Sequence, residues 1–142
     1  MYSAFQLAKK YFNYYLTAQN GKGHGVHSPF VFDFIIHVLN DKKKYDCYPK
    51  IELLRKELLN NNATIEVEDF GAGSAVIPCK NRVVKDIAAS SFKKKKYAQL
   101  LFRVAKYYQC KTIVELGTSF GTTTCYLASA NPVSKIFTLE GS

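Results

Sequence analysis

One segment constrains this chain more than any other: TIVELGTSFGTTTCYLASANPVSKIFTLEG, from Thr112 to Gly141. Thr112, Ile113 and Val114 make a short apolar run of the kind that forms a strand. Gly117 and Gly121 bracket a turn, and Thr122, Thr123 and Thr124 are suited to opening a helix and satisfying its first amides. The helix is predicted over 122–130 and is broken by Asn131-Pro132. Ile136, Phe137, Thr138 and Leu139 then form a second strand, ending at Glu140. A crossover through one short helix favours two parallel strands in one sheet. The expected fold class is therefore α/β.

A glycine turn at the end of such a strand invites a nucleotide-type ligand. The strand delivers the chain to its carboxyl edge, glycines let the backbone turn and approach closely, and the helix directs its free amides at the ligand. An acidic residue at the end of the next strand, about 20 residues on, completes the arrangement by binding ribose hydroxyls. Glu140 lies 23 residues beyond Gly117 and meets that requirement. A second stretch, VEDFGAGS from Val67 to Ser74, imitates the first. Ala63 to Phe70 alternates like a strand and Gly71 to Ser74 turns, but Val76, Ile77 and Pro78 forbid a helix directly afterwards. The next acid, Asp86, falls in a helical pattern. That stretch reads as a structural turn, with Ala75 to Ile77 as a short returning strand, and it borders the ligand site at most.

The spacing also excludes relatives. A dinucleotide fingerprint would place glycines at 117, 119 and 122, where Ser119 and Thr122 stand, so close approach to a pyrophosphate is hindered. No lysine follows Gly121, so this is not the lysine-bearing phosphate loop. What remains is a ligand with a ribose and no pyrophosphate.

Upstream, the chain reads as helices. Ser3 caps one that carries Phe5, Leu7, Tyr11, Phe12, Tyr15 and Leu16 on a single stripe. The stripe is expected to pack on the domain, with an aromatic wall or stacking platform as the functional alternative. Ser28-Pro29 opens a second helix that ends near Asn40. A third runs from Pro49 to the asparagines at 60–62. Asn81 to Ala89 and Lys93 to Gln109 give two more, the latter with Tyr97, Leu100, Leu101, Val104, Ala105 and Tyr108 as its apolar face. Lysines crowd the first turn of that helix and oppose its dipole, so helix stability is not their purpose. The organisation expected is a helical region over 1–62, a hairpin and helices over 63–110, and the sheet-forming segment over 111–142.

Composition limits the function classes. With 47% hydrophobic and 22% charged residues over 142 positions, the chain is globular rather than disordered. It has no apolar run near the roughly 20 residues that cross a bilayer, and no signal-like start. A cytoplasmic location without membrane contact is expected. The four cysteines, Cys47, Cys79, Cys110 and Cys125, form no CxxC pair and suit a reducing compartment. The net charge of +9, with lysine runs at 42–44 and 93–96, keeps nucleic acid open as a partner, though solvated faces are the favoured explanation. His24, His27 and His37 do not have the spacing and partners of a fixed tetrahedral site, and no metal is expected.

VELGTSFGTTTCYLA followed by IFTLEG resembles the first two motifs of class I S-adenosylmethionine-dependent methyltransferases, in a form close to the O-methyltransferase branch. HGVHSPFVFDFI, EDFGAGS and KKYAQLLFRVAKYY are similar to the N-terminal half of a group of bacterial methyltransferases typical of Bacteroidetes. The resemblance implies that S-adenosylmethionine is the cofactor. Glu115, Gly117, Thr118, Ser119 and Gly121 would line its methionine and ribose, and Glu140 would accept the ribose hydroxyls. Gly141 and Ser142 would begin the loop beside the adenine. Ser119 departs from the commoner middle glycine. The resemblance further implies a Rossmann-like sheet of which this chain carries the first two strands, an N-terminal fragment truncated after the second. The fragment is then expected to be inactive alone, to bind the cofactor weakly at best, and to self-associate through its open sheet edge. The methyl acceptor and any catalytic base are unassigned. Two rivals remain: a basic, aromatic-rich nucleic-acid-binding module, and a degenerate methyltransferase remnant acting as an interaction domain.

Overall fold

The computed structural model describes residues 3–17, 25, 27–67 and 81–141. The chain divides into two compact units, Met1–Lys42 and Lys43–Ser142. Among the described residues it is a mixed α/β protein with six α-helices and two two-stranded sheets. None of these helices is long and apolar enough to cross a membrane.

In the first unit, α1 spans Ala4–Thr17. Its start is a reciprocal cap: the Gln6 amide donates to Ser3 Oγ at 3.3 Å, and the Ser3 amide donates to Gln6 Oε1 at 2.9 Å. Its stripe does not pack as expected. The helix buries no residue, and Phe5, Tyr11 and Tyr15 are 79%, 69% and 72% exposed. Periodicity marks which residues share a face, but it does not supply a surface for that face to meet. Helix α2, Pro29–Phe34, continues as a π-helical turn over Ile35–Leu39 and stops at Asn40. Ser28 caps it as predicted, its Oγ accepting from the Val31 amide at 3.4 Å, with Pro29 at the first helical position. Asp33 lies 3.8 Å from His37, one turn on.

The second unit opens with α3, Cys47–Leu59, which begins two residues before the expected Pro49. Strand β1, Thr64–Glu66, pairs antiparallel with β2, Asn81–Val83. The end of the predicted strand over Ala63 to Phe70, the turn over Gly71 to Ser74 and the returning strand over Ala75 to Ile77 lie outside the described residues, as does Cys79. Asn81–Val83 was expected to begin a helix and instead pairs as a strand, with Arg82 opposite Ile65. Helix α4 follows at once over Val84–Ser91. The β-branched Val83 serves either state, and a partner strand decides for β.

Helix α5 covers Lys95–Tyr107. Strand β3, Thr112–Leu116, helix α6, Thr122–Ala130, and strand β4, Lys135–Leu139, follow. The two strands are parallel and in register from Thr112 opposite Lys135 to Leu116 opposite Leu139. Helix α6 packs between α5 and α3 and against β4. The core consists of Ile51 from α3, Ala98, Phe102 and Ala105 from α5, and Tyr126, Leu127 and Ala130 from α6, with Ile113 and Ile136 closing it from the sheet. The buried face of α5 is therefore centred on Ala98, Phe102 and Ala105 rather than on Tyr97 and Tyr108, which are 48% and 36% exposed. Two alanines on that face let α6 approach, and Phe102 fills the space they leave. Its ring meets those of Tyr45 and Tyr48 at centroid distances of 4.7 and 5.1 Å, the latter edge-on.

Candidate functional site

Strand β3 delivers the chain to a loop whose shape depends on left-handed residues. Gly117 has φ +86° and Gly121 φ +67°, a region that costs a side-chain-bearing residue roughly 1–2 kcal/mol. No atom lies within 4 Å of where a Cβ on Gly117 would stand, so conformation and not crowding requires glycine there. Ser119 takes φ +46° without being a glycine. The loop is held at each corner. The Gly117 amide donates to the Leu139 carbonyl at 2.8 Å, and the Gly121 amide donates to the Thr118 carbonyl at 2.9 Å. Gly121 then opens α6, whose first amides face the loop.

The two acids come together around this loop. Glu115 and Thr138 sit opposite each other in the parallel register, and Thr138 Oγ1 donates to Glu115 Oε2 at 3.0 Å. Thr124 Oγ1, from the first turn of α6, donates to the same oxygen at 2.5 Å. Among the described residues Oε1 of Glu115 has no hydrogen-bond partner. Thr118 Oγ1 bonds to Thr138 Oγ1 at 2.5 Å. Glu140, at the end of β4, accepts from the Ser119 amide through Oε2 and from the Gly141 amide through Oε1 at 3.0 Å. A carboxylate has about four acceptor sites, so Glu115, bonded through Oε2 alone, can still receive a ligand group through Oε1.

A cavity of about 290 Å³ opens beside the loop. Glu115, Gly117, Thr118 and Ser119 line it, whereas Gly121 and Glu140 do not. Gly121 acts one step back, by starting the helix whose Thr122 and Thr123 form the wall, and Glu140 holds the loop from the neighbouring strand.

The opposite contribution comes from Ser91, the last residue of α4, with Phe92 and Lys93 ahead of α5, and of the three only Lys93, in its lysine run, stood out in the sequence. Ser91 Oγ and Ser119 Oγ are hydrogen-bonded at 2.9 Å. Phe92 meets Phe120 edge-on, and the Arg55 guanidinium lies 4.7 Å over the Phe92 ring. Arg55 is 9% exposed, and its Nη1 has no partner among the described residues. Its Nε lies 3.5 Å from Glu52, which in turn accepts from the Tyr126 hydroxyl at 2.7 Å. The pocket wall is thus tied to the core. One local signal could have found this segment. A helix joined to the following strand by a short turn runs back beside it, so its N-terminal end meets the strand's carboxyl end. Helix α5 is about 20 Å long and β3 about 17 Å, which brings Lys93 level with Gly117.

Among the described residues no three His, Cys, Asp or Glu side chains gather as a metal site. His24 lies outside those residues. Comparison of the chain with protein-family models, with curated proteins and with solved structures finds no match in any of the three.

Proposed function

We propose that the β3–α6–β4 unit is the cofactor-binding edge of a Rossmann-like sheet, and that the chain belongs to an S-adenosylmethionine-dependent methyltransferase of class I. The observation that carries this reading is the contact between the glycine loop after β3 and Glu140 at the end of the parallel β4. It joins a positive-φ turn, a helix start and a strand-end acid in one loop, and that loop borders the cavity through Gly117, Thr118 and Ser119. The residues present suit the group. The loop glycines admit close approach, Glu115 keeps an acceptor oxygen in reserve, and no lysine of a phosphate loop competes for the position. A volume of about 290 Å³ suits the amino-acid and ribose end of such a ligand.

When bound, S-adenosylmethionine supplies a methyl group activated by its sulfonium. The chain's contribution is positioning, which is the larger part of catalysis in a direct displacement. Glu140 orients the ribose through its hydroxyls. Glu115 stands at the methionine end, with Thr124 and Thr138 fixing its carboxylate. Ser91, bonded to Ser119, holds the loop against the segment before α5.

Amide-detected NMR titration with S-adenosylhomocysteine, taken into the millimolar range, tests the reading. Shifts confined to residues 91–93, 115–124 and 138–141 are expected, reduced at least tenfold in apparent affinity by Glu140→Ala and by Gly117→Val. Salt-dependent RNA binding that survives both substitutions, with no response to the nucleoside, would instead favour a basic nucleic-acid-binding module.

A further inference from the structure

The cavity lining carries two charged side chains, Glu115 on β3 and Lys93 ahead of α5. Neither is neutralised by the other elements of the site. Glu115 spends one oxygen on two threonine hydroxyls and keeps Oε1 without a partner among the described residues. Lys93 makes no ion pair among the described residues. The rest of the lining consists of hydroxyls, one glycine and apolar side chains. A cavity that offers one unspent anion and one unspent cation matches a ligand group that carries both charges.

We infer that Lys93 is a specificity residue: its ammonium receives the carboxylate of an α-amino-acid group, while Glu115 Oε1 receives the ammonium of the same group. The site then selects ligands ending in a zwitterion over nucleosides without one. This rests on the proposed cofactor reading and adds to it a residue from outside the strand–loop–helix unit. It also gives one member of the lysine run a purpose. Lys93 to Lys96 oppose the dipole of α5, whose first turn holds no acid to offset them. Of the four, Lys93 alone lines the cavity.

The test compares three probes in amide-detected NMR titrations of the full chain at low ionic strength. S-adenosylhomocysteine carries both charges, its decarboxylated thiopropylamine analogue lacks the carboxylate, and 5′-methylthioadenosine lacks the whole amino-acid group. The unchanged protein is expected to prefer S-adenosylhomocysteine over the decarboxylated analogue by about fivefold, the scale of a solvent-facing ion pair. Raising the salt concentration should shrink that preference. Lys93→Met is expected to make the two ligands equal while leaving the affinity for 5′-methylthioadenosine unchanged. Lys95→Met, which removes the same charge from the same run, should keep the preference. A preference that persists in Lys93→Met, or is absent from the unchanged protein while 5′-methylthioadenosine still binds, overturns the role of Lys93 and leaves the cofactor reading standing. Failure of all three probes to shift any resonance overturns both.

Discussion

Tyr126 shows how one residue ties the core to the site. It is fully buried, its ring meets Tyr48 edge-on at 5.5 Å, and its hydroxyl donates to Glu52 Oε1 at 2.7 Å. Burial first, and the hydrogen bond to a carboxylate second, push its ionisation well above the usual tyrosine value. Above pH 10 the unfolded chain has lost a phenolic proton that the native chain retains. The native state is then the one that binds more protons, and stability falls as pH rises through that window. Urea unfolding from pH 8 to 11.5 should show this decline, and Tyr126→Phe should flatten it. An equal slope in both proteins would detach the hydroxyl from the effect. Cys47 is displaced in the same direction, again chiefly by burial. It belongs to the shell around the core, and burial outweighs the hydrogen bonds and the Lys106 charge that favour its thiolate.

At the scale of elements, α5 and α6 decide whether the site exists. Helix α6 starts at Gly121 and supplies Thr122 and Thr123 to the cavity, while α5 sets the position of Lys93 and gives Leu101 to the wall. Phe102 is 2% exposed and packs with Tyr45 and Tyr48. Truncation to alanine at such a position costs about 3–5 kcal/mol, a large share of the 5–15 kcal/mol that a domain possesses. Phe102→Ala is therefore expected to lower the urea midpoint sharply and, with it, any response of the loop resonances to nucleoside. A midpoint shift below about 1 kcal/mol would show that the α5–α6 contact is not what holds the wall. These two helices also differ in how far their sequence foretold them. Helix α6 is observed over the predicted 122–130, because threonines after a glycine and an Asn-Pro pair mark its ends locally. The buried face of α5 was misplaced by one residue position, since Ala98 and Phe102 share a stripe with Leu101 and Ala105 and only the neighbour shows where its centre lies.

Across the whole molecule, the β3–β4 sheet has two unlike faces. One side, with Ile113 and Ile136, closes the core. On the other, Val114 stands opposite Phe137 and Leu116 opposite Leu139, and these four are 63%, 56%, 82% and 54% exposed. An apolar face beside strand edges that have no partner among the described residues favours association. Light scattering coupled to gel filtration is expected to show mass rising with protein concentration, and Leu116→Lys with Phe137→Lys should suppress it. A constant monomer mass in the unchanged protein would refute the expectation. The net charge of +9 opposes such contacts at low salt, so association should strengthen as salt is added.

The sequence by itself determined the strand–loop–helix–strand unit and the place of Glu140 at its end. Each of those signals is local: glycines where φ must be positive, a helix start beside them, and a helix breaker before the second strand. Only the tertiary structure decided that Asn81–Val83 pairs as a strand, that Ser91 bonds to Ser119, and that Glu115 is fixed by two threonines from different elements. Those facts depend on groups up to 28 positions apart, as in the Ser91–Ser119 bond. A contact of that kind is set by how the helices pack on the sheet, which no window of neighbouring residues encodes.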